Sequence, residues 1–206
     1  MTPPHPLPRL HAITDERIAR RPNLDEVAGR LARGGGAELA FHARGRTLSG
    51  REHFDLANRL SAYPPTRLFV NDRLDVALAV RAAGVQLTSS SLGPEEARRL
   101  DPAWWIGVSV HDLREARAAR AAAADYLLVG PVFSTPTHPG QTPLDPAELR
   151  KITGLGRPVI AIGGVGPERV ADLRAAGVHG IAAIRALWDV ADPAQAARQL
   201  LKELTR

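Results

Sequence analysis

Cysteine is absent, the only lysines are Lys151 and Lys202, and aromatic residues make up 4% of the 206-residue chain. Without cysteine there is no disulfide framework, no thiolate metal site and no cysteine nucleophile, so chemistry falls to His, Asp, Ser, Thr and Arg. No apolar run reaches the ~18 residues of a membrane-spanning helix. The opening Met1-Thr-Pro-Pro-His-Pro-Leu-Pro8 lacks the basic-then-apolar layout of a signal peptide. The expectation is a soluble, cytoplasmic protein with no membrane partner. The formal charge of +5 is carried almost wholly by arginine, spread over helix-surface positions such as Arg30, Arg98, Arg117 and Arg150. No dense or aromatic-rich basic strip supports nucleic-acid binding, whereas a mild positive field suits a small anionic substrate.

With 44% hydrophobic residues the chain can bury one substantial core. After a Pro-rich lead (residues 1–8), strand-like apolar runs alternate with helical periodicity over residues 9–206, the signature of a parallel sheet with crossover helices. Strands are predicted at Leu10–Thr14, Glu38–Ala43, Arg67–Asn71, Val85–Thr88, Trp105–Val110, Tyr126–Phe133, Val159–Gly163 and Ile181–Ile184. Helical faces lie between them, with Asp112, Asp145 and Asp192 as N-caps and Gly84 and Gly177 closing helices. Val80-Arg-Ala-Ala-Gly-Val85 nearly repeats at Leu173-Arg-Ala-Ala-Gly-Val178, four such units later. Eight even units without a dinucleotide fingerprint favour a single (β/α)8 TIM barrel over an open doubly wound sheet. Barrels of this size often pair, which leaves a homodimer open.

Function in such a barrel collects at the C-terminal ends of the strands. The run Pro158-Val-Ile-Ala-Ile-Gly-Gly-Val165 ends in two glycines before a new helix, where main-chain N–H groups can approach an anion unobstructed. A second turn follows at Arg185-Ala186, and the pair Gly163/Gly164 with Arg185/Ala186 reads as a seat for a substrate phosphate. Elsewhere the rim offers His42, Arg44, Arg46, Asn71, Asp72, Ser109 and His111, then the hydroxyl-rich loop Ser134-Thr-Pro-Thr-His138. Strand alternation puts His42 and Arg44 on one face, and Ser109 and His111 likewise. Arginine grips carboxylates or phosphates, and histidine exchanges protons near neutral pH. His138 stands out, in a proline-bracketed loop beside hydroxyls.

Leu10-His-Ala-Ile-Thr-Asp15, Val70-Asn-Asp-Arg-Leu-Asp-Val-Ala77, Gly107-Val-Ser-Val-His111, Asp125-Tyr-Leu-Leu-Val-Gly-Pro-Val-Phe133 and Val159-Ile-Ala-Ile-Gly-Gly164, in this order, resemble the thiamine phosphate synthase superfamily. The resemblance implies a barrel that binds a thiazole phosphate at the glycine turn. Two subfamilies divide it. Synthases join a pyrimidine diphosphate to the thiazole phosphate with Mg²⁺ held by aspartates after strands three and four; here those positions are Asp72 and Ser91. The synthase loop lysine falls near His138, and the Gln-Leu-Arg-Glu-Lys-like stretch reads His42-Ala-Arg-Gly-Arg46. Val85-Gln-Leu-Thr-Ser-Ser-Ser-Leu-Gly-Pro94 and Leu10-His-Ala-Ile-Thr14 look instead like the TenI-type thiazole tautomerases, although Pro131 stands where that subfamily carries its strand-six histidine.

The expectation drawn from this is a metal-independent tautomerase. His138 or His42 would move the proton, Gly163, Gly164, Arg185 and Ala186 would seat the phosphate, and Arg44, Arg46, Asn71, Ser109, Thr135 and Thr137 would hold a carboxylate or diphosphate. The alternatives are a divergent synthase, using Mg²⁺ at Asp72, and a non-catalytic binder of thiazole phosphate.

Overall fold

The computed structural model describes residues 5–135, 140 and 142–206. Eight parallel strands pair in chain order and close on themselves, β1 against β8. They are β1 (Leu10–Ile13), β2 (Leu39–Ala43), β3 (Arg67–Asn71), β4 (Gly84–Leu87), β5 (Trp105–Val110), β6 (Tyr126–Val129), β7 (Val159–Ile162) and β8 (Gly180–Ala183). Helices α1 (Glu16–Ala19), α2 (Leu24–Gly35), α3 (Gly50–Ser61), α4 (Leu74–Ala79), α5 (Pro94–Leu100), α6 (Leu113–Ala121), α7 (Pro146–Thr153), α8 (Val170–Ala175), α9 (Arg185–Trp188) and α10 (Pro193–Thr205) surround them. This is the predicted (β/α)8 barrel.

Both faces of a barrel sheet are buried, so its strands read as nearly continuous apolar runs. Alternation still sorts them. Leu39, Phe41 and Ala43 of β2, like Leu68 and Val70 of β3, face the helical layer, whose apolar stripes complete the outer core. Ala40, Phe69, Tyr126, Leu128, Ile160 and Ala182 fill the barrel interior instead. Leu7 joins them, 5% exposed, so the chain just before β1 covers the lower end of the barrel.

Asp112, Asp145 and Asp192 cap α6, α7 and α10, their side chains accepting from the amides of Glu115, Ala147 and Gln195. Gly177 has the positive φ (83°) of a helix-ending residue. Gly84 does not close α4; it opens β4, and the left-handed residue falls at Arg81, φ 53°. A side chain at Gly84 would run into the Trp105 carbonyl oxygen at 2.4 Å and the Phe69 ring at 2.6 Å. Close packing between strands, not a helix end, therefore requires this glycine. The sixth strand stops at Val129, shorter than predicted, because Gly130-Pro131 turns the chain and Pro131 has no amide hydrogen for the ladder.

Candidate active site

At the C-terminal mouth, Gly163 (φ 102°) and Gly164 (φ 64°) follow β7 in conformations that L side chains rarely adopt. A Cβ on Gly163 would lie 2.7 Å from the Pro131 Cα, and one on Gly164 would lie 2.5 Å from the Ser134 carbonyl oxygen. The pair is thus demanded twice, by backbone twist and by the β6 loop pressed against it. Val132 and Phe133 fix that loop by donating to the Ile162 and Gly163 carbonyls (2.9 and 3.1 Å). Arg169 reaches back from the following turn to donate to the Gly164 carbonyl (2.7 Å), its guanidinium lying over the Phe133 ring.

A small cleft of about 80 Å³ opens beside this turn, lined by Thr135, Ile162, Gly163, Gly164, Ile184, Arg185 and Ala186 among others. Arg185 and Ala186 begin α9. Their N–H groups and that of Gly164 find no main-chain acceptor among the described residues. Main-chain donors grouped around a cleft are an arrangement that binds a phosphate monoester.

The other half of the mouth is built from side chains. Arg44, after β2, is half-buried; desolvation, helped by the nearby charge of Arg46, lowers its pKa from the ordinary arginine value, and it remains a cation. Its backbone is clasped by Thr14, whose hydroxyl donates to the Arg44 carbonyl (2.8 Å) and accepts from the Arg44 amide (2.9 Å). Glu16 fastens the next turn, accepting from the amides of Arg46 (2.5 Å) and Thr47 (3.2 Å). Partial burial would raise the Glu16 pKa, but these amides and its own hold it below the ordinary carboxylate value.

Asp72, exposed at the end of β3 with φ 60°, accepts through one carboxylate oxygen from the Thr88 amide (3.0 Å), the Thr88 hydroxyl (2.8 Å) and the Ser91 hydroxyl. No group of three or more His, Asp or Glu side chains able to hold a metal occurs among the described residues. No helix among them is long and apolar enough to cross a membrane.

The residues expected to act together are divided by the structure. Thr135 is buried on the wall of the phosphate cleft, while Thr137 and His138 lie outside the described residues. Ser109 faces inward and accepts from the Gln86 amide (3.0 Å), whereas His111 turns outward to Glu115 (3.0 Å). His42 does not stand at the rim with Arg44. It is fully buried in the barrel, stacked on Phe69 with centroids 5.1 Å apart, between His11 (2.8 Å) and Asn71 (3.2 Å). Desolvation lowers its pKa to about 4, so the ring is neutral at pH 7 and closed to a substrate at the mouth. His11, which no sequence motif singles out for chemistry, completes this buried chain by bonding to the Pro8 carbonyl at its other ring nitrogen (2.9 Å). Two histidines on adjacent strands, each at an inward position, were the available signal.

The family model for thiamine monophosphate synthase matches residues 10–187. The chain is 42% identical over 208 residues to a thiamine-phosphate synthase of Salinispora tropica, covering 97% of this chain and 98% of that protein. It is 46% identical over 142 residues to the thiamine biosynthesis bifunctional protein ThiM/ThiE of Symbiobacterium thermophilum, of which it spans only 30%. Among solved structures, a thiamine phosphate pyrophosphorylase from Pyrococcus furiosus superimposes with a TM-score of 0.82 at 32% identity, over 96% of this chain and 95% of that one. The expectation of a TenI-like tautomerase is thereby overturned: the Salinispora relative, covered almost end to end, carries the synthase name, a transferase and not an isomerase. Matched over residues 10–187 and 42% identical to a relative covered almost end to end, the chain belongs to the thiamine monophosphate synthase family.

Proposed function

We propose that this protein couples a pyrimidine diphosphate to a thiazole phosphate, releasing pyrophosphate. The observation that carries the reading is the paired construction of the mouth: a cleft ringed by main-chain donors on one side and a clasped arginine on the other. Each is suited to one of two phosphorylated substrates. The thiazole phosphate would sit on the N–H groups of Gly163, Gly164, Arg185 and Ala186, with Thr135 on the wall. The diphosphate would lie against Arg44 and Arg46, and Ser109 would face the space between.

Displacing a diphosphate builds negative charge on the leaving oxygens, so cations held there beforehand favour the transition state over the ground state. Arg44 suits this task because its backbone is fixed by Thr14 and its partial desolvation strengthens its field. Glu16 keeps the Arg44–Thr47 turn in place from β1's side of the mouth. Family membership brings Mg²⁺ into question. The oxygen donors at Asp72, Thr88 and Ser91 suit a hard cation, and Mg²⁺ commonly rests on one or two carboxylates plus substrate phosphates. Asp72 would be its protein ligand here, with the diphosphate supplying most of the remainder. When bound, the ion would neutralise charge on the leaving diphosphate.

The test is an assay with both substrates, with and without Mg²⁺. Mg²⁺-dependent release of pyrophosphate together with the coupled product is expected. Binding of the thiazole phosphate without any turnover would overturn the reading in favour of a non-catalytic binder.

A further inference from the structure

Helix α3 buries one stripe against β2 and β3, at positions 53, 56, 57 and 60. Three of these are Leu56, Ala57 and Leu60, and the first is His53, 3% exposed. An apolar side chain there would continue the stripe without the cost of burying an imidazole. What the histidine adds is a donor. Its Nε2 lies 2.9 Å from the Ala43 carbonyl oxygen, which can only accept, so the hydrogen is on Nε2. Desolvation lowers the His53 pKa from the ordinary histidine value, and the ring is neutral at pH 7.

The root of this side chain is fixed. Ser49 and Glu52 form a capping box at the start of α3, the Ser49 hydroxyl accepting from the Glu52 amide (3.2 Å) and the Glu52 carboxylate from the Ser49 amide (2.8 Å). The His53 amide donates to the Ser49 carbonyl in the same turn (2.9 Å). Arg20, just after α1, ties Glu52 from outside (3.1 Å). The other end of the bond is the peptide that joins Ala43, the last residue of β2, to Arg44. The N–H of that peptide is the Arg44 amide, which donates to Thr14 (2.9 Å). One planar unit is thus held at both ends, by β1 through its N–H and by α3 through its C=O. Two anchors on opposite sides fix the plane, and with it the direction in which Arg44 leaves the strand.

We propose that His53 is a positioning residue for Arg44: its Nε2 hydrogen, given to the Ala43 carbonyl, sets the peptide that aims the guanidinium into the mouth. The ring lies in the helical layer and acts on a ligand only through Arg44. Its effect should therefore reach the anion that Arg44 holds and spare the glycine turn across the barrel. The inference rests on the synthase reading in one respect, that Arg44 grips a diphosphate.

Calorimetry on the full chain with inorganic pyrophosphate tests the proposal. His53→Leu removes the donor, and His53→Gln keeps one at similar reach. His53→Leu should weaken pyrophosphate binding about threefold to tenfold, the ordinary worth of one neutral hydrogen bond, and His53→Gln should hold it within about twofold of the natural chain. Affinity for thiazole phosphate should stay within about twofold in both. A folded His53→Leu that binds pyrophosphate normally overturns the proposal. So does a His53→Gln as weak as the leucine variant, or an equal loss for thiazole phosphate, the mark of a merely structural role. Should the leucine variant fail to fold, His53→Asn, too short to reach the carbonyl, takes its place.

Long-range ¹H–¹⁵N correlation on the unaltered chain labelled at histidine reads the bond itself, with His53→Gln supplying the assignment. At pH 7 the His53 ring should be neutral with its hydrogen on Nε2; a hydrogen on Nδ1 alone, or a doubly protonated ring, overturns the proposal. Failure of the unaltered protein to bind pyrophosphate strikes the synthase reading instead, while the ring state still decides the bond to Ala43.

Discussion

On the β7–β8 side of the mouth the groups turned toward the cleft are main-chain N–H donors, held by glycine conformation and by the β6 loop. On the β2–β4 side they are side chains, namely Arg44, Arg46 and Asp72, each held by hydrogen bonds from a neighbouring strand or turn. A seat made of backbone changes only if the path of the chain changes. A grip made of side chains can be rewritten one residue at a time without disturbing the barrel, and Ser91 donating to Asp72 is such a place.

The sharpest way to break this contrast is Gly164→Ala. The left-handed φ costs about 1–2 kcal/mol for a residue with Cβ, and the collision with the Ser134 carbonyl adds about 1–3 kcal/mol of overpacking. Chemical denaturation should report a loss of about 2–5 kcal/mol, and the KM for the thiazole phosphate should rise steeply. A stable variant with normal KM would show that the turn is not the seat. Arg44→Ala should leave the melting temperature almost unchanged while lowering kcat/KM about 10–100-fold, the worth of one or two charge-assisted hydrogen bonds. An effect confined to the thiazole phosphate would reverse the assignment of the two halves.

Acid stability comes next in size and tests the interior that separates the halves. His42 has its pKa lowered to about 4 when folded, from the ordinary 6.5, by desolvation. Between those values the unfolded chain binds the extra proton, so this stability is fully present above pH 6.5 and is lost as pH falls toward 4. The loss at pH 4 is on the order of 3 kcal/mol, and His11, also lowered by burial, acts in the same direction. Melting curves from pH 7 to pH 4.5 should fall more steeply for the natural chain than for His42→Gln; parallel curves would place the acid sensitivity elsewhere. The smallest effect is expected from Ser91→Asp. It should lower the Mg²⁺ concentration for half-maximal activity a few-fold, by adding a second carboxylate beside Asp72. No change would mean that the ion rests on the diphosphate alone.

Much of the barrel was legible because its strands obey alternation and its helices carry visible caps. Asp112, Asp145 and Asp192 are caps for the chemical reason that made them readable. The glycine turn was legible for a similar reason, since two adjacent glycines after a β-branched run have few other uses. What stayed hidden was reach. Alternation placed His42 and Arg44 on one face, but not that β2 ends between them, leaving the histidine inside and the arginine at the mouth. Nor could spacing show that His11 on β1 would meet His42 on β2, because that contact depends on the register Ile13↔His42 and on both rings pointing inward. Ser91 and the hydroxyl-rich β4 end resemble the tautomerases, but they are one strand end out of eight. Similarity over the full length weighs every strand and favours the synthases.

The ring closes where its first and last strands meet, with Leu10 opposite Ile181 and the Ile181 amide donating to the Arg9 carbonyl. Arg17 of α1 adds a two-pronged ion pair to Asp189 just after α9 across the same seam. These partners are far apart in sequence, so the entropy of joining them is recovered only once nearly all the chain is available. During synthesis on a ribosome β1 therefore waits with one flank open, and the phosphate seat beside β8 is among the last parts of the molecule to take shape.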